Sequence, residues 1–121
     1  MPGWHGGERL LRACGYANAM RLLMTGETLD AEAALRLGLI SEIATQTPVV
    51  DAALALAARF AAAAPRSLAA IKRSLHGAAT LEHAAARRLA DQLFAELWLS
   101  ADHREAEAAF AAKRAPHFRG A

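Results

Sequence analysis

Only one stretch of this chain, Leu39-Ile40-Ser41-Glu42-Ile43, reads as a strand candidate, with apolar residues on either side of a polar pair. A strand that short needs a neighbour to pair with, and the sequence offers none. The remaining segments are spaced for helices, so the chain is expected to be mainly α, with one short strand near residues 39–43 that requires a partner from elsewhere.

Glycine and proline divide the helical text. A glycine-rich opening, Pro2-Gly3-Trp4-His5-Gly6-Gly7, runs into Glu8-Arg9-Leu10-Leu11-Arg12, which Gly15 stops; a second run from Ala17 to Thr25 ends at Gly26, where a left-handed cap fits. Asp30 is a good N-cap for the run starting at Ala31, closed by Gly38. Thr47-Pro48 reads as N-cap plus first helical residue of an alanine-rich helix that Pro65 terminates. Further helices are expected from Ser67 to His76, stopped by Gly77; from a Thr80 cap to about Leu99; and from a Ser100 cap to about Lys113. In the longest of these, Leu89, Leu93, Phe94, Leu97 and Trp98 share one face.

Composition narrows the function classes. The 121 residues suffice for one modest core, and the 55% hydrophobic share argues against disorder, although alanine supplies much of it and buries little area. A net charge of +2 from evenly mixed Lys, Arg, Asp and Glu gives no basis for nucleic-acid binding. No window reaches the length of a membrane span, the N-terminus lacks a signal core, and the single Cys14 suits a reducing cytosol, so a soluble cytoplasmic protein is expected. His5, His76, His83, His103 and His117 do not pair at the spacing of a zinc motif, so no metal is expected. Nucleophile-elbow, P-loop and dinucleotide signatures are absent. Two features could hold an anion. One is the glycine loop at a helix start, although a plain flexible turn explains it as well. The other is the end of the last helix, where Phe110, Lys113 and Arg114 set an aromatic ring beside two cations, or where basic residues simply complement the helix dipole.

Taken in order, these landmarks resemble the second half of the enoyl-CoA hydratase/isomerase (crotonase-like) family. Pro2-Gly3-Trp4-His5-Gly6-Gly7-Glu8-Arg9-Leu10, Met24-Thr25-Gly26, Ala31-Glu32-Ala33, Gly38-Leu39-Ile40, Ala64-Pro65 with Ile71-Lys72, and the run from Ser100 to Gly120 follow the family pattern co-linearly over nearly the whole chain. The resemblance implies the helical C-terminal half of a ClpP/crotonase fold. Residues 1–45 would hold the glycine loop, short helices and lone strand from the end of the core, and residues 46–121 a helical region for oligomerisation and for capping coenzyme A.

It also implies an acyl-CoA thioester substrate, no cofactor beyond that coenzyme A, and a homo-oligomer built on trimers. The oxyanion-hole donors, most of the sheet, the main CoA loop and the first catalytic glutamate belong to the family's first half, so this sequence is expected to be catalytically incomplete by itself. Pro2 and Gly3 of the loop, and Phe110 and Lys113 near a neighbouring subunit's CoA, would be its binding residues. The family's hydratases carry a second catalytic glutamate on the helix before Thr-Gly, and the resemblance puts Arg21 at that place. A guanidinium stays protonated and cannot activate water as a base, so Arg21 looks like the basic residue of acyl-CoA decarboxylase members, where it would pair with a substrate carboxylate. A local ion pair on a solvated helix face is the plainer reading of Arg21. Outside enzymology, the apolar faces of residues 80–100 and of the last helix would serve a non-catalytic helical module for self-association or docking.

Overall fold

The computed structural model describes residues 6–121 as six helices in two compact units, which divide after Ala52.

In the first unit, α1 (Gly6–Thr25) is two helical segments merged across Gly15, whose φ of 78° and ψ of 168° lie outside helical space. Only glycine takes that conformation without strain. The break frees a carbonyl, and the Asn18 side-chain amide donates to Cys14 O at 2.9 Å to satisfy it. A methyl placed on Gly7 would lie 3.7 Å from Leu23 Cδ1, so the two segments fold back on one another. A straight helix would hold those residues about 24 Å apart. Ala19 is the buried residue of α1. Gly26 (φ 63°) ends the helix by donating to Leu22 O at 3.0 Å. Helix α2 (Ala31–Arg36) starts at the expected cap, with Asp30 Oδ1 accepting from Ala33 N at 2.7 Å. It closes in a Schellman turn: Leu39 N donates to Ala34 O and Gly38 N to Leu35 O, with Gly38 at φ 73°.

The strand expected at residues 39–43 does not form, and among the described residues there is no strand. A β conformation leaves its amides and carbonyls unpaired unless a ladder meets them, and these residues have no second strand to meet.

Helix α3 (Val49–Ala61) begins one residue later than expected, Pro48 O accepting from Ala52 N at 3.1 Å. It also ends before the proline. Pro65 occupies the first turn of α4 (Pro65–Thr80), where its missing N–H costs nothing, with Ala64 as the cap. Proline here starts a helix and does not stop one.

Two further boundaries move for the same kind of reason. Gly77 lies buried inside α4, and Thr80 is the last residue of α4, its hydroxyl donating to His76 O at 2.7 Å. Helix α5 (His83–Trp98) is instead preceded by Glu82. In the second unit α4 and α5 pack as a hairpin, and Gly77 faces α5 closely: a Cβ there would fall 2.7 Å from Leu89 Cδ2 and 3.5 Å from Leu81 Cδ1. Gly77→Ala should therefore be close to neutral, the shift it forces on the end of the Leu89 side chain offsetting a helix-propensity gain of about 1 kcal/mol. In a Leu89→Ala background the same change should turn stabilising by about 1 kcal/mol, which a urea-unfolding double-mutant cycle would read. Equal effects in both backgrounds would mean that Leu89 does not set the need for glycine.

Helix α6 (Ala101–Ala111) packs beside α5, and Leu93 and Ala109 are among the few buried apolar residues of this unit. Its Ser100 cap is the expected one, Oγ accepting from His103 N at 3.1 Å. Much apolar surface stays uncovered, with Ile71, Leu75, Phe94, Trp98, Leu99 and Phe110 each more than half exposed. No single helix among the described residues is long and apolar enough to cross a membrane.

Candidate ligand-binding surface at the last helix

Of the residues singled out in the sequence, Pro2 and Gly3 lie outside the described residues. Arg21 belongs to the first unit, on the last turns of α1, and its Nη1 sits 2.6 Å from Glu27 Oε1 with both side chains partly exposed. That is the local ion pair of the plainer reading.

Phe110 lies in the last turn of α6 and Lys113 two residues past the helix end, both in the second unit. Phe110 is 87% exposed, so it contributes almost nothing to the core of its own unit. Lys113 follows at φ 51°, the left-handed region, as the C′ residue of a second Schellman turn in which Arg114 N donates to Ala109 O and Lys113 N to Phe110 O. Glycine usually takes this place, and a lysine there carries strain of about 1 kcal/mol. Among the described residues no ion pair engages Lys113.

Arg114 behaves differently from its neighbour. Its two terminal nitrogens reach Glu105 at 2.6 and 3.0 Å in a forked pair, so it is not the second free cation that spacing alone suggested. Glu105 also accepts from His117 N at 2.8 Å. Chiefly through the Arg114 bonds, and next through the His117 amide, its carboxyl is lowered from about 4.5 to about 2. The Arg114 guanidinium is raised in turn by its bond to Glu105. For a carboxyl depressed by folding, the stabilisation is complete above its ordinary value and is lost as pH falls toward the folded one. The clamp's contribution is therefore complete at neutral pH and is lost progressively as pH falls from about 4.5 toward about 2.

Asp102, three residues earlier, continues the attachment. It is buried, and its two oxygens accept from Arg119 N and Gly120 N, each at 2.8 Å. The first amides of α6, Ala101 N and Asp102 N, donate to Ala121 O at 2.9 and 3.2 Å. All the donors that a helix start leaves open are thereby used, and the segment after Lys113 is tied back along α6 at both ends. Nothing in the sequence spacing pointed to Asp102 or Glu105. Their partners lie 9 to 18 positions away and meet them only because the chain reverses at Lys113.

Beside this helix Phe94, Trp98 and His103 stack in series, with centroids 5.6 Å apart for the first pair and 4.5 Å for the second. They line a cavity of about 280 Å³ with Ser67, Ala106 and Phe118. His103 Nε2 is buried without a hydrogen-bond partner and lies 3.7 Å from Glu107 Oε1, inside ion-pair range and outside hydrogen-bond range. Among the described residues no three His, Cys, Asp or Glu side chains gather as a metal site requires.

A helical segment closed by a capped, tied-back last helix is what known proteins match, and that match gives the chain a family. The family model for enoyl-CoA hydratase/isomerase matches residues 1–121. The chain is 36% identical over 121 residues to a probable enoyl-CoA hydratase of Bacillus subtilis, covering 99% of this chain and 47% of that protein. It is 38% identical over 123 residues to the (E)-benzylidenesuccinyl-CoA hydratase of Thauera aromatica, covering 100% of this chain and 47% of the relative. Among solved structures, an enoyl-CoA hydratase subunit of Geobacillus kaustophilus superposes with a TM-score of 0.92 at 30% identity, over 100% of this chain and 47% of that one. The enoyl-CoA hydratase of Mycobacterium tuberculosis gives 0.90 at 33%, over 98% and 47%. The chain belongs to the enoyl-CoA hydratase/isomerase family, as its ordered motifs implied. It spans about half the length of the curated relatives it matches.

Proposed function

We propose that this chain supplies the helical, coenzyme-A-holding half of an enzyme acting on acyl-CoA thioesters, and that it is catalytically incomplete by itself. The observation that carries the reading is the end of α6, where Phe110 is 87% exposed three residues before Lys113. A ring so exposed suits stacking on a planar base, and a lysine without an ion pair suits a phosphate. The matched acyl-CoA hydratases support the ligand class. The thioester chemistry, polarising the carbonyl and moving protons, would fall to groups in the half of the family fold that this chain does not span. Exposed Ile71, Leu75, Phe94 and Trp98 support self-association. The ion pair of Arg21 with Glu27 lends no support to a decarboxylase-like role for that arginine.

Isothermal titration of the purified chain with coenzyme A and with an acyl-CoA tests this, with particle size measured on the same samples. Saturable binding is expected, weakened about tenfold by Lys113→Ala, equivalent to about 1.4 kcal/mol. A folded chain that binds neither ligand, or that binds equally well without the lysine ammonium, would overturn the proposal.

A further inference from the structure

We infer that Glu105 is a positioning residue for Lys113, acting through Arg114 to leave one cation free and correctly presented beside Phe110. This rests on the coenzyme A reading above and names what makes that site selective for a phosphate ester. Three observations lead to it. Lys113 holds a left-handed backbone (φ 51°) that a lysine does not choose alone, so its surroundings must impose it. The residue immediately after it is fastened, Arg114 being forked onto Glu105 at 2.6 and 3.0 Å with Nη1 also donating to Ala115 O at 3.0 Å. The chain beyond is fastened again, His117 N to Glu105 at 2.8 Å and Arg119 N and Gly120 N to Asp102 at 2.8 Å each.

Two adjacent cations are thereby given different tasks. Arg114 spends its fork on the protein, whereas Lys113 is directed outward by the strained turn that the fork secures. Without Glu105 the turn would lose its anchor, Lys113 would be free to relax to a right-handed or extended backbone, and its ammonium would sample many directions. A bound phosphate would then have to order it, which weakens binding without removing any contact. Arg114, released, would compete for the same anion.

The test is a double-mutant cycle read by titration of the whole chain with coenzyme A and with its 3′-dephospho form. Glu105→Gln should weaken coenzyme A binding about as much as Lys113→Ala does, on the order of tenfold, and should add little in the Lys113→Ala background. Both changes should narrow the preference for coenzyme A over the dephospho form. Backbone chemical shifts at Lys113 should report loss of the left-handed turn in Glu105→Gln. Should Glu105→Gln fold poorly, Arg114→Gln breaks the same pair from the other side and is held to the same outcomes. If Lys113→Ala binds normally, the coenzyme A reading itself falls, and this inference with it. If Lys113→Ala is weakened while the pair-breaking variants bind like the parent, or add their full effect to Lys113→Ala, positioning through Arg114 is refuted and the coenzyme A reading stands.

Discussion

Asp102→Ala should lower the stability of the second unit by about 2–3 kcal/mol and release the segment that follows Lys113. The side chain is buried and both of its oxygens are used, by Arg119 N and Gly120 N at 2.8 Å. Alanine leaves two amides without an acceptor, and each unpaired buried donor costs about 1–3 kcal/mol. The total is capped because the tail can leave the helix and find water, giving up the bonds from Ala101 N and Asp102 N to Ala121 O as it goes. The signature is therefore double: a lower urea midpoint, and fast amide exchange at Gly120. Asp102→Asn should fall between parent and alanine, since its carbonyl can serve one amide while its NH₂ must face the other donor. An Asp102→Ala chain with parental midpoint and parental exchange at Gly120 would show that the carboxylate does not hold the tail.

Leu93→Ala should cost about 3 kcal/mol, and Phe94→Ala, one residue later on the same helix, under about 1 kcal/mol when measured at a concentration where the chain is monomeric. Leu93 is 4% exposed and packs near Ala70, Ala90 and Leu97, so truncation opens a hole that the α4–α5 hairpin closes only partly. Phe94 is 64% exposed, and most of its ring already faces solvent. Chemical denaturation of both variants reads the contrast. A Phe94→Ala penalty as large as that of Leu93→Ala, growing with protein concentration, would mean that the ring is buried between associating chains. A small Leu93→Ala penalty would mean that α5 is not the centre of this unit.

How well the sequence foretold the fold depended on how local each determinant is. Asp30 and Ser100 cap helices with their own side chains, bonding the amide three residues on, and Gly15, Gly26 and Gly38 take backbone angles that other residues avoid. All five were legible because cause and effect lie within one turn of chain. The order of those signals was specific enough to give the family. Where the expected boundaries failed, the deciding partner was distant. Gly77 looks like a helix stop and is a contact with Leu89 on the next helix; Pro65 looks like a terminator and is a helix start. Residues 39–43 read as a strand but form none, since a ladder is a property of two segments.

The same division runs through the candidate site. Phe110 and Lys113 could be named from the sequence because they stand three residues apart on one helix end, and Arg114 was grouped with them for the same reason. That Arg114 is spent on Glu105, that Asp102 binds amides 17 and 18 residues away, and that Lys113 is thereby held at positive φ were decided by the chain's reversal after α6. Side-chain chemistry and helix-end signals are carried by neighbouring residues and so were determined by the sequence alone. Which charge stays free, which glycine is a contact and which segment finds a partner depend on groups brought together through space, and only the tertiary structure settles them.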